Sequence, residues 1–168
     1  MGVLISAVTL QGKNLNSEYR CFIERDAEKL GIEVDRVYLS NDCNEYLSIS
    51  YQSYSNLKRY LDFLGSEIGI VGFEHHFFSS EGVITHNECE ELLTAFDKNV
   101  DKTEAITWKE FAFSYYSTYD DNEEFIDGLE HMAMRSYQSE QALMNRRFRV
   151  LIKIVRFAVK QNGFIVYG

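Results

Sequence analysis

Proline is absent from this chain of 168 residues, so no helix is broken by a ring and no rigid proline linker separates domains. Cysteine is scarce. Cys21, Cys43 and Cys89 are odd in number and widely spaced, and none forms a C-x-x-C pair, which argues against a disulfide framework or a zinc knuckle. Such thiols suit a reducing cytoplasm, and Cys21 and Cys89, in expected helices, read as buried free thiols. The start, Met1-Gly2-Val3-Leu4-Ile5, has no cationic region and no long apolar run, so neither a signal peptide nor a membrane span is expected. Chemical motifs are missing too: there is no H-E-x-x-H, no nucleophile elbow and no glycine-rich phosphate loop. No catalytic residue, cofactor or metal is therefore nominated.

What remains is an ordinary globular mixture, 45% hydrophobic and 26% charged, which argues against disorder. The length suits one domain spanning residues 1–168. The net charge is -9, and it is unevenly spread. Residues 97–130 hold ten acids against Lys98, Lys102 and Lys109, while residues 131–168 hold seven bases against Glu140. The acidic bulk argues against a protein that coats nucleic acid or an anionic membrane.

Hydrophobic periodicity gives the expected elements. Val3–Leu10 reads as a strand, followed by a turn at Gly12-Lys13-Asn14 and a helix from Ser17 to Leu30, closed by Gly31. A strand is expected over Ile32–Leu39, a turn at Asn41-Asp42-Cys43-Asn44, and a half-buried strand where Leu47, Ile49 and Tyr51 alternate with polar residues. Ser53 or Ser55 opens a short helix that ends near Gly65, and Phe73–Phe78 is a further strand. Gly82 then makes a tight turn into a helix over Thr85–Phe96, where Thr85 and Glu88 have the spacing of a capping box. The chain from Asp97 to Thr107 is polar and expected to be irregular, and Trp108–Tyr119 is ambiguous between helix and strand. Two helices follow, Asn122–Arg135 capped by Asp121 and Glu140–Gln161 ended at Asn162-Gly163, before a last strand Phe164–Tyr167. The implied class is α+β or α/β, one mixed sheet of about four to five strands with helices packed on it.

Three constellations invite chemistry. The turn at Gly82 imitates the back end of a calcium loop, but Phe77 occupies the place of the leading carboxylate. A second imitation, from Asn99 to Glu110, has Glu104 where the loop needs glycine, so calcium binding is not expected. His75 and His76 lie near Ser79, Glu81, His86 and Cys89, without the spacing of a metal or nucleophile motif. The third is a basic stripe on the last helix, Arg146, Arg149, Lys153, Arg156 and Lys160, spaced three or four apart beside the apolar face Met144, Phe148, Leu151, Ile152, Val155 and Val159. Its simplest role is the solvated edge of a core helix, and its alternative is an anion-binding face.

Ser53-Tyr54-Ser55-Asn56-Leu57-Lys58-Arg59-Tyr60 follows a strand and opens an amphipathic helix; with Phe78-Ser79-Ser80-Glu81-Gly82-Val83-Ile84-Thr85-His86-Asn87-Glu88-Cys89 and the closing helix and strand Phe157–Tyr167, it resembles small bacterial immunity proteins of polymorphic-toxin loci and related phage and prophage proteins. Ser80 and Glu81 stand where that pattern carries aspartates, and Phe78 where it carries histidine, so no metal site is inherited. The resemblance implies a cytoplasmic, non-enzymatic inhibitor that binds a cognate protein toxin. Tyrosines beside acids make a suitable contact surface, here Tyr115, Tyr116, Tyr119, Asp120, Asp121, Glu123 and Glu124. The alternative role is a phage or prophage anti-defence protein that sequesters a nucleotide signal or host factor through Arg146, Arg149, Lys153 and Arg156.

Overall fold

The computed structural model describes residues 2–9, 25–32, 46–77, 79–106 and 123–168. Four strands form one sheet: β1 (Gly2–Val8), β2 (Tyr46–Ser50), β3 (Gly82–Ile84) and β4 (Phe164–Tyr167), in the order β2-β1-β4-β3. Every pairing among them is antiparallel, so the class is α+β and the sheet, expected to be mixed, is antiparallel over the described residues. The central strands read as continuous apolar runs because both their faces are covered. Val3, Ile5 and Ala7 with Ile165 and Tyr167 belong to the main core, while Val8, Phe164 and Val166 build a smaller cluster with Val83 on the opposite face. The edge strand β2 keeps a clean alternation, with Leu47 buried between exposed Tyr46 and Ser48.

The main face carries α2 (Tyr51–Phe63), α4 (His86–Asp97) and the 38-residue α6 (Glu123–Lys160), with the short α3 (Phe73–His76) between them. Phe148 of α6 is the hub of this core. Its ring meets Tyr60 of α2 at 6.0 Å, Phe73 of α3 at 5.4 Å and Phe96 of α4 at 5.7 Å, each edge to face, an arrangement that aligns ring edges with ring faces. The opposite face is covered in part by α1 (residues 25–30), whose Leu30, with Ile32 beyond it, packs on the smaller cluster. Helix α1 ends in paired bonds from the Gly31 and Ile32 N–H groups to Glu28 and Ala27 carbonyls, and α6 ends the same way at Asn162 and Gly163.

Several expectations change. Ser50, not Ser53 or Ser55, caps α2: its hydroxyl accepts the Ser53 N–H at 3.2 Å, because the strand stops one residue before its alternation does. The helix passes Gly65 and continues as a π-helical turn over Leu64–Ile68, ending at the left-handed Gly69. Phe73–His76, expected to begin a strand, is helix α3 instead. Phe73 and Phe77 lie four apart, one helical turn, and both are fully buried. The strand falls instead at Gly82–Ile84, where a turn was expected. Val100–Ala105 forms α5 within the stretch expected to be irregular. The two expected helices between Asn122 and Gln161 are one, since Ser136–Ser139 contains neither glycine nor proline to stop it. The turn at residues 12–14, the helix start at Ser17, the strand over residues 33–39, the turn at residues 41–44 and the aromatic run Trp108–Tyr119 lie outside the described residues, as do Cys21 and Cys43.

Candidate functional site

Of the surface nominated for partner binding, Tyr115, Tyr116, Tyr119, Asp120 and Asp121 lie outside the described residues, and Glu123 and Glu124 open α6. The alternative set is placed. Arg146, Arg149, Lys153, Arg156 and Lys160 are all exposed on α6, over a run of roughly 21 Å at 1.5 Å per residue. Arg156 is not free within this stripe: its Nη2 lies 2.9 Å from Asp97 Oδ1, and its guanidinium sits 5.5 Å over the Phe96 ring. That contact ties α6 to the acidic end of α4.

The residues around β3 form an ion-pair cluster that fixes α1 to the sheet. Thr85 and Glu88 make the capping box: the Thr85 N–H and hydroxyl both donate to Glu88 Oε2, at 2.7 and 2.9 Å. The other oxygen, Oε1, faces Lys29 Nζ at 3.2 Å and His76 Nδ1 at 3.8 Å. Lys29 also donates to the Val83 carbonyl at 3.1 Å, and Arg25 meets Glu81 at 2.5 Å. Burial alone would raise the Glu88 carboxyl, but the Thr85 and Lys29 bonds together hold it below the usual range. Burial lowers His76, and Glu88 only partly offsets that.

The Tyr54 hydroxyl lies 3.0 Å from the Phe77 carbonyl and 2.6 Å from that of Ser79, so both oxygens are engaged within the fold. Tyr167 donates to the His76 carbonyl, crossing directly beside Gly82, where a Cβ would lie 2.6 Å from its hydroxyl. His75 is 80% exposed while His76 is turned inward to Glu88. Cys89 is fully buried, donates weakly to the Ile84 carbonyl, and its thiol is pushed up to about 12, chiefly by burial. Among the described residues no three His, Cys, Asp or Glu side chains are grouped to hold a metal ion.

An open groove of about 730 Å³ lies between α4 and the turn after the π-helical segment. One wall is Gly69 and Val71; the other is the outer stripe of α4, Asn87, Glu90, Glu91, Thr94 and Lys98. Val71 is 58% exposed, one of the exposed large hydrophobic residues with Tyr46, Tyr51 and Val100. His86 Nε2 lies 3.6 Å from Glu90 Oε1, one helical turn along α4. Sequence reasoning does not reach this groove, because Gly69 and Val71 fall between two expected elements with no period to place them. The available signal was the polar spacing of residues 87, 90, 91, 94 and 98 on the capped helix.

No family model, no curated protein and no solved structure matches this chain. No helix among the described residues is long and apolar enough to cross a membrane.

Proposed function

We propose that the protein is a non-enzymatic inhibitor of the immunity type, which binds one cognate protein toxin in the cytoplasm and covers its active surface. The observation that carries this reading is the exposed acid of one stretch of chain: Glu90, Glu91 and Asp101 face solvent on α4 and α5 (Val100–Ala105), while Glu81 and Asp97, also exposed, are paired with Arg25 and Arg156. With a net charge of -9, such a surface favours a basic partner, and toxins that act on nucleic acid are basic for the same electrostatic reason. The resemblance to immunity proteins rests on segments that are neighbours in space, since Gly82 and Ile84 of β3 pair with Tyr167 and Ile165 of β4. Co-expression with each toxin encoded beside it tests the reading. Rescue of growth by one such pairing supports it, and failure to rescue from any of them removes it.

A second reading has one observation in its favour. The stripe Arg146, Arg149, Lys153 and Arg156 is exposed along one helix face, as an anti-defence protein that sequesters a nucleotide signal would require. The Arg156–Asp97 pair weighs against it, because one of the four bases already has a carboxylate. A thermal-shift screen against cyclic nucleotides separates the two, since the inhibitor reading expects no response.

A further inference from the structure

We propose that one face of α6 is the docking site for an acidic, amphipathic helix of a protein partner. Three times in this helix an apolar residue is followed three positions later by a base: Leu143 and Arg146, Val150 and Lys153, Phe157 and Lys160. The repeat is seven residues, so each set forms a nearly straight line about 21 Å long, and the two lines run side by side. Arg146, Lys153 and Lys160 are exposed, while Leu143, Val150 and Phe157 enter the core only in part and keep some surface at its edge. The core is filled from α6 by other positions, Phe148 and Leu151 among them. Every exposed residue between 143 and 160 is basic, and residues 141–168 contain no acid, in a chain whose net charge is -9. Arg156 is held by Asp97, and Arg149 has contacts of its own within the fold, which leaves Arg146, Lys153 and Lys160 as the line itself.

An apolar line flanked by a charged one is how helices pair along a seam, with opposite charges beside apolar contacts. The occupant that keeps step with both lines is itself a helix, because seven of its residues also advance roughly 10 Å and return to the same face. In an extended strand same-face side chains recur about every 6.7 Å and fall out of step. A helix with a carboxylate three residues after each apolar residue, laid antiparallel, sets apolar line on apolar line and carboxylates on bases. Nucleic acid fits less well: it carries a phosphate at every nucleotide, has no use for the apolar line, and is repelled by the net charge of -9. This face is opposite in sign to the acidic surface on α4 and α5 and does not depend on the inhibitor reading.

The test uses the full-length protein, isotope-labelled for amide NMR, titrated with a blocked alanine-based peptide of three heptads. The peptide carries glutamate at every seventh position and leucine three residues before each glutamate. A peptide of the same composition and helicity, its glutamates moved to the face opposite the leucines, is the control. The expected result is saturable shifts confined to residues 143–160 and their neighbours, with the control peptide at least about fivefold weaker. Lys153→Glu weakens the first peptide about tenfold, and a peptide whose central glutamate is replaced by lysine regains affinity for that variant. Lys102→Glu, the same charge change on exposed α5 surface, alters binding less than about twofold. Absence of saturable shifts, equal affinity for both peptides, no recovery on charge exchange, or tighter binding of a single-stranded oligothymidylate than of the first peptide would overturn the assignment.

Discussion

Replacing Glu88 by alanine removes a carboxylate with two tasks, and the cost can be worked from its two oxygens. Oxygen Oε2 closes the capping box on Thr85, whose N–H and hydroxyl donate at 2.7 and 2.9 Å. Loss of a helix cap of this kind costs about 1 kcal/mol. Oxygen Oε1 pairs with Lys29 at 3.2 Å, but the lysine is 45% exposed, so that pair adds only about 0.2–1 kcal/mol. The expected total is about 1.2–2 kcal/mol, or a fall in Tm of roughly 2–8 °C for a domain of this size. Urea unfolding at pH 7 and at pH 3 measures it. The carboxyl is held below its ordinary value of 4.5 in the folded state, although burial opposes this. Its contribution is therefore complete above that value and is lost as pH falls through the lower, folded value. The gap between native protein and Glu88→Ala should narrow sharply at the acid end. A gap that stays constant from pH 7 to pH 3 would refute the argument, because it would mean that the charge of Glu88 contributes nothing.

Four further outcomes follow from the same structure. Phe148→Ala removes the ring shared by α2, α3 and α4 and should cost about 3–5 kcal/mol in chemical unfolding. Gly163→Ala places a Cβ 2.2 Å from the Val8 carbonyl oxygen, a backbone atom that cannot step aside, and should cost about 1–3 kcal/mol by the same measurement. Burial holds His76 below its ordinary value of 6.5, so the folded state favours the neutral ring. Its contribution is full above that value and declines as pH falls through the lower one, and His76→Gln should flatten the stability profile between about pH 7 and pH 5. In a protein with Cys21 and Cys43 changed to serine, the buried Cys89 thiol, pushed up to about 12, should react with a thiol reagent only at the rate of unfolding.

The legible parts of the sequence were those where a local rule and the tertiary packing agree. The Thr85–Glu88 box, the closing strand Phe164–Tyr167, the stop at Asn162 and the apolar face of the last helix were all read correctly, since each rests on a cap, a run or a period. The misreadings share a cause. In Phe73–Phe78 the aromatics at 73, 77 and 78 suit a strand as readily as a helix, and the four-residue spacing of the two buried rings is decided by the packing. Gly65 looked like a stop, yet it sits inside the continuing helix where the Glu74 carboxylate approaches to 3.0 Å of a built Cβ, so the missing side chain makes room rather than ending the helix. Gly82 looked like a turn for a similar reason, and its use is to let the Tyr167 ring cross an edge strand. The groove was illegible because its walls come from segments about twenty residues apart, joined by that misread stretch.

The central claim is that this protein acts by presenting an acidic, shaped surface to a basic protein. Stopped-flow association of the purified chain with the toxin encoded beside it, run at low and at high salt, tests that most directly. The account predicts a tight complex whose association rate falls steeply as salt rises while its dissociation rate changes little. No complex at any salt concentration, or an association rate indifferent to salt, would contradict it.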